Sequence, residues 1–228
     1  MTAARVRSRR LGVTTVAVAI AIGLGGTATT ASAAPTPTAT PSATGTATGT
    51  AIGTAATAGT ATAAAKVDYE TWKRDVKAVI DQARPYVEQR TQNPGGQKQA
   101  IVLDIDNTSL ESDFKFSYPA PAVEPVLQLA TYAHSRGVDL FFVTARPDIL
   151  TLPTRFNLEN AGYPVAGLYV RSLPDLFDEV GAYKTAKRAE IEKKGYTIIA
   201  NIGNSPSDLV GGHAEKTFKL PDYDGQLS

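Results

Sequence analysis

The chain has 228 residues, 23 of them Lys or Arg and 22 Asp or Glu, and no cysteine. Its first 65 residues hold no acidic side chain and only four basic ones, Arg5, Arg7, Arg9 and Arg10, so residues 66–228 carry 19 basic against 22 acidic groups, a net −3. A slightly acidic segment lacks the basic footprint of a nucleic-acid binder, and the absence of cysteine excludes disulfides, thiolate metal sites and cysteine nucleophiles.

Residues 1–33 read as a secretory signal peptide. The basic start is followed by an apolar stretch from Leu11 to about Leu24, and Ala31-Ser32-Ala33 supplies a small-x-small cleavage pattern. Gly23, Gly25 and Gly26 end the apolar stretch short of the roughly 20 residues that a membrane span needs. The expected mature chain is therefore secreted, with no stable membrane association. Ser8-Arg9-Arg10 faintly resembles a twin-arginine signal, but Gly12 stands where a bulky apolar residue is usual. Residues 34–65 are almost wholly Ala, Thr, Pro, Gly and Ser, a composition unable to bury enough apolar surface to offset ordering entropy, so a flexible linker is expected. Its threonines are also candidates for O-glycans.

The domain is expected over 66–228. Tyr69, Trp72, Val76, Val79, Ile80, Ala83 and Val87 recur mostly at three- and four-residue steps, predicting a helix capped by Asp68 and kinked or restarted at Pro85. Short apolar runs at Ala100–Leu103, Leu140–Val143, Gly167–Val170 and Ile198–Ile202 predict strands. Helical patterns fall between them at Val123–His134, Ile149–Ala161 and Ala182–Lys194. Continuous apolar strands alternating with helices predict an α/β fold, a doubly wound parallel sheet covered on both faces.

Three of these strands run into a polar residue, Asp104, Thr144 and Asn204, and in such sheets ligands sit beyond the carboxyl ends of the strands. Asp104 and Asp106 in Asp104-Ile105-Asp106-Asn107-Thr108 share one face of an extended chain. Their mutual repulsion is relieved by raising one pKa or by a cation between them, which suits one to nucleophilic attack and the other to proton exchange. The motif alone equally fits aspartates that cap turns.

The whole set of motifs resembles the haloacid dehalogenase (HAD) superfamily, and within it the secreted acid phosphatases of the class B and plant group, subfamily IIIB. The resemblance rests on Ile101–Leu110 (IVLDIDNTSL), Phe141–Arg146 (FFVTAR), Tyr183–Arg188 (YKTAKR) and Asn201–Leu209 (NIGNSPSDL), in order and spacing, and covers nearly all of 66–228. It implies a HAD-like fold with a small cap insertion. Asp104 would be the nucleophile that forms an aspartyl-phosphate, and Asp106 the acid and base. Thr144 would hydrogen-bond a phosphoryl oxygen, and Lys184 would balance charge. Mg²⁺ would be held by Asp104, Asp106 (through its backbone carbonyl), Asn204 and Asp208. Where the family has Gly-Asp-x-x-x-Asp, this chain has Gly203-Asn204-Ser205-Pro206-Ser207-Asp208, so an amide oxygen replaces a charged ligand.

Each assignment has a plainer counterpart: Thr144 as an ordinary strand residue, Lys184 as a solvated helix lysine, Asn204 and Asp208 as caps of a turn. Lys187 and Arg188 are expected to be exterior charges, and His134 a surface residue; no role is assigned to His213. Arg146 suits substrate contact or an exposed ion pair. Phe114, Phe116 and Tyr118 suit a leaving-group pocket or packing of the inserted loop. The expected activity is a Mg²⁺-dependent acid phosphatase acting on small phosphomonoesters. The alternatives are a weakened storage or binding protein on the same scaffold and phosphoryl transfer to alcohols.

Overall fold

The structure is a computed structural model, and it describes residues 66–227. The expected signal peptide and linker lie outside the described residues.

Helix α1 (Tyr69–Gln92) begins at Asp68, whose Oδ1 accepts a hydrogen bond from the Thr71 amide at 2.9 Å. It does not restart at Pro85. Ala83 and Val87 are fully buried while Pro85 is exposed, so packing of the inner face holds the helix and the donor lost at proline falls on the solvent side. The chain continues through β1 (Lys98–Leu103), α2 (Glu124–Ser135), β2 (Asp139–Pro147), α3 (Thr151–Asn160) and β3 (Gly167–Arg171). It ends with α4 (Val180–Lys193), β4 (Tyr196–Gly203), α5 (Pro206–Leu209) and β5 (Thr217–Lys219). Strand β5, which the sequence pattern does not predict, completes the sheet.

The sheet order is β3-β2-β1-β4-β5, with every neighbouring pair parallel. Alternating side chains divide between two faces. Ile101, Leu103, Leu140 and Phe142 join Trp72, Val76 and Leu129 from α1 and α2 in the larger core. Ala100, Val102, Phe141 and Val143 pack on the other face with Tyr183 and Ile191 from α4. This is the expected doubly wound α/β fold. Between β1 and β4 the register shifts, with Ala100 opposite Ile198 but Ile101 opposite Ala200; the extra residue brings both Ile199 and Ala200 to the larger core.

The insertion after β1 is small and carries only isolated bridges, Asp106 to Leu110 and Leu110 to Ala122. Phe114 belongs to the packing of this loop: its ring stacks 4.6 Å from Trp72 and lies 5.4 Å from Tyr69. Among the described residues no helix is long and apolar enough to cross a membrane.

Candidate active site

Three predicted residues from three elements meet at the carboxyl edge of the sheet. Asp104 follows β1 and is tied to β4 by its amide, which donates to the Ile202 carbonyl at 3.0 Å. Lys184 lies in the first turns of α4, where burial of Tyr183 beside it turns that part of the helix toward the sheet. Asp208 sits on the short α5, in a capping box closed by Ser205, whose amide donates to Asp208 Oδ2 at 2.8 Å. The Lys184 ammonium lies between the two carboxylates, 2.6 Å from Asp104 Oδ1 and 2.5 Å from Asp208 Oδ1. All three side chains are at most 8% exposed.

Gly203 makes this closeness possible, because a Cβ on it would overlap the Asp208 side chain. Thr144, also buried, ends the apolar part of β2; its Oγ1 accepts from the Arg146 amide at 3.2 Å and keeps its own proton for a further partner.

Electrostatics follow from two anions sharing one cation out of water. Burial drives the Asp104 carboxyl up to about 6; Lys184 opposes this and the Asp208 charge adds to it. Burial disfavours the Lys184 ammonium, but Asp104 and Asp208 outweigh it and hold its pKa above the ordinary value. Two carboxylates thus share a single ammonium.

Asp106 is differently placed. Its side chain is 36% exposed, and Arg146 grips it with two hydrogen bonds, Nη2 to Oδ1 at 2.6 Å and Nε to Oδ2 at 3.0 Å. Ser112 Oγ adds a third at 2.7 Å, and Arg146 Nη1 is held in turn by Thr154 Oγ1 at 3.2 Å. Burial raises the Asp106 pKa, yet the Arg146 hydrogen bonds and charge, with Ser112, bring it below the ordinary carboxylate value. Of the two options for Arg146, the structure has the ion pair, at the site rather than away from it.

Asn204 is buried, and its amide is already engaged. Its Nδ2 donates to the Leu227 carbonyl at 2.6 Å, which fixes the amide orientation because a carbonyl only accepts. Oδ1 therefore faces Thr108, whose hydroxyl donates to it at 3.1 Å. Among the described residues no group of three or more His, Cys, Asp and Glu is placed to hold a metal ion. What the cluster offers is hard oxygen donors, two buried carboxylates, with negative charge in excess of its lysine. That chemistry fits a hard divalent cation that keeps several waters, and not a soft metal.

Two residues differ from expectation or escaped it. Arg188 is not an exterior charge but is 1% exposed, and Nη1 donates to the Asp208 carbonyl at 2.7 Å. Asn201 Nδ2 donates to the same carbonyl at 2.8 Å. His134 is exposed as expected, and His213 pairs with Glu192 at 2.6 Å in an exposed contact.

Beside Asp106 opens a cleft of about 530 Å³, lined among others by Arg146, Phe116, Tyr118, Leu150 and Pro153. Phe116 is 97% exposed and Tyr118 65% exposed, while the Tyr118 hydroxyl donates to the Pro153 carbonyl at 3.0 Å.

Comparison with known proteins agrees with this fold. Over 177 residues the chain is 29% identical to the stem 28 kDa glycoprotein of Glycine max, covering 67% of this chain and 68% of that one. It is 26% identical to acid phosphatase 1 of Solanum lycopersicum over 173 residues, 66% of this chain and 68% of that one. In fold it resembles the class C acid phosphatase from Bacillus anthracis, with a TM-score of 0.55 and 19% identity over 68% of this chain and 80% of that one. A family model described as HAD superfamily, subfamily IIIB (acid phosphatase) matches residues 29–120 and 118–226, and the chain belongs to that family.

Proposed function

We propose that the protein is a secreted, Mg²⁺-dependent phosphomonoesterase that works through an aspartyl-phosphate. The observation that supports this most directly is the Lys184 ammonium seated between the Asp104 and Asp208 carboxylates, brought together from three elements and nearly sealed from water. A structural ion pair needs one partner of each sign; two anions on one cation suit a site that receives further charge.

In this reading Asp106 first takes up a proton from solvent as it gives up an Arg146 hydrogen bond; an oxygen of Asp104 then attacks phosphorus, the bond from phosphorus to the leaving oxygen breaks, and Asp106 passes its proton to that oxygen. Water then attacks phosphorus, Asp106 takes its proton, and the bond to Asp104 breaks to release inorganic phosphate. Asp106 can donate only if Arg146 yields one of its oxygens, so arrival of the leaving group beside Arg146 and proton transfer are coupled. Thr144 donates its hydroxyl proton to a phosphoryl oxygen, and Lys184 offsets charge as it moves from Asp104 to the phosphoryl group. Asp104 and Asp208 would hold Mg²⁺, with the Asp106 backbone carbonyl and Asn204 as further oxygen donors, and the ion would neutralise phosphoryl charge. The aromatic cleft beside Asp106 suits aryl or similarly apolar leaving groups on small phosphomonoesters. Secretion rests on the signal pattern of residues 1–33.

One observation favours a second reading, a non-enzymatic binding protein: the Asn204 amide is committed to Thr108 and Leu227, which leaves two carboxylates for a cation. Turnover of p-nitrophenyl phosphate decides between them. The phosphatase reading expects Mg²⁺-stimulated, EDTA-sensitive turnover that falls at least about 10⁴-fold in Asp104→Asn. No turnover from acidic to alkaline pH would overturn it.

A further inference from the structure

Helix α4 brings a second cation to the site region. Arg188 follows Lys184 by four residues, so both lie on the helix face that meets β4 and α5. A guanidinium buried to 1% exposure is costly unless its donors are satisfied. None of its hydrogen-bond partners is a carboxylate. Nη1 donates to the Asp208 carbonyl at 2.7 Å, Nε to the Gly212 carbonyl at 2.9 Å, and Nη2 to the Val210 carbonyl and, at 3.2 Å, to Thr185 Oγ1.

These carbonyls belong to a segment with little regular structure of its own. Helix α5 has four residues, and Gly211 and Gly212 follow it with φ of +83° and +75°. The segment also lies directly on α4: Thr185 Oγ1 donates to the Val210 carbonyl at 2.9 Å, and a Cβ on Gly211 would overlap the Thr185 side chain. Lys184 therefore grips the Asp208 carboxylate while Arg188, one turn on, grips the backbone that carries it.

We propose that Arg188 is a positioning residue: its planar fork, bound to the carbonyls of Asp208, Val210 and Gly212, fixes the turn and so sets the Asp208 carboxylate against Lys184. Lysine, with its donors at one point, cannot span three carbonyls. The kinetic part of the test rests on the phosphatase reading; the structural part does not.

The experiment compares Arg188→Met, Arg188→Lys, Asp208→Asn and the Arg188→Met/Asp208→Asn double variant, each in the whole protein. The kcat and KM for p-nitrophenyl phosphate at saturating Mg²⁺ are expressed per folded molecule. Misplacing Asp208 should lower kcat about 100-fold in Arg188→Met with KM changed less than about 3-fold, and Arg188→Lys should fall between it and the parent. If Arg188 acts through Asp208, the double variant should turn over within about 3-fold of Asp208→Asn alone. Multiplying losses, or an unchanged kcat in Arg188→Met with only a lower melting temperature, would overturn the proposal.

Amide hydrogen exchange gives a readout free of activity. In Arg188→Lys, which keeps the charge, amides of residues 208–212 should exchange at least about 10-fold faster while those of β1 are unaltered. Unaltered exchange at 208–212 would overturn the proposal. The same measurement decides if Arg188→Met does not fold, or if the parent shows no turnover and the phosphatase reading itself has failed.

Discussion

The two carboxylates of the Asp-x-Asp motif, two residues apart in sequence, occupy opposite kinds of environment. Asp104 is 8% exposed and shares an ammonium with Asp208; Asp106 is 36% exposed and is held by an arginine from the neighbouring strand. Burial lifts the pKa of the first to about 6, while Arg146 and Ser112 bring the second below its ordinary value. The inner carboxylate is fixed in a packed cluster whose charge is unbalanced. The outer one is balanced by Arg146, and both Arg146 and Ser112, which bond it, line the neighbouring cleft. The difference teaches that alternation along an extended chain decides which face two acids share, and the surrounding elements decide what each can do there.

The strongest way to break the contrast is to remove the shared cation. Lys184→Met leaves Asp104 and Asp208 facing each other, and should cost about 3–5 kcal/mol of stability near neutral pH in chelator-treated protein, measured by urea denaturation. The sign of the pH dependence follows from Asp104. A carboxyl whose folded pKa is raised adds stability that is present below its unfolded pKa and lost as pH rises through the folded one. Chelator-treated parent protein should thus lose stability from this group between about pH 4 and 6, and Mg²⁺ should suppress that loss. A stability curve that ignores Mg²⁺ throughout would contradict the charge argument.

Arg146→Ala sharpens the outer half of the contrast. Without its main stabilising partner the Asp106 carboxyl titrates higher, so the limb on which kcat/KM falls because the acid has lost its proton should move to higher pH. This is read from the pH profile for p-nitrophenyl phosphate. Truncating the cleft should have a smaller and more selective effect. Phe116→Ala combined with Tyr118→Ala should raise KM for an aryl phosphate roughly 3- to 10-fold while leaving glycerol phosphate unchanged. The smallest expected effect is at Asn204→Asp. The added carboxylate should tighten Mg²⁺ binding in calorimetry. The Leu227 carbonyl loses its donor, which should lower stability by about 1–2 kcal/mol.

Much of this was legible in the sequence because it is local. Four apolar runs marked β1 to β4, and the point at which each of three runs turns polar marked Asp104, Thr144 and Asn204. Strand β5 was not legible: Thr217-Phe218-Lys219 has one buried apolar residue, and only pairing with β4 makes it a strand. Arg188 looked exterior because arginine on a helix usually is. The signal against that was its spacing from Tyr183, Lys184 and Ile191, all buried on the same face of α4, and a glycine pair 23 residues downstream of it. Phe114 could not be told from its neighbours Phe116 and Tyr118 by type; α1, folding back over the insertion, separates the ring packed on Trp72 from the two left at the surface. The engagement of Asn204 with Leu227 joins residues 23 apart through a bond that no motif encodes.

Gly203 carries a consequence of its own. The Asp208 side chain occupies the space that a methyl group on Gly203 would fill, so the turn rests directly against the strand end. The close seat of the acid on the strand end thus depends on the missing side chain at Gly203 as well as on its hydrogen bonds. Any larger residue at this one strand-end position would have to displace a buried carboxylate, so the backbone itself selects glycine there.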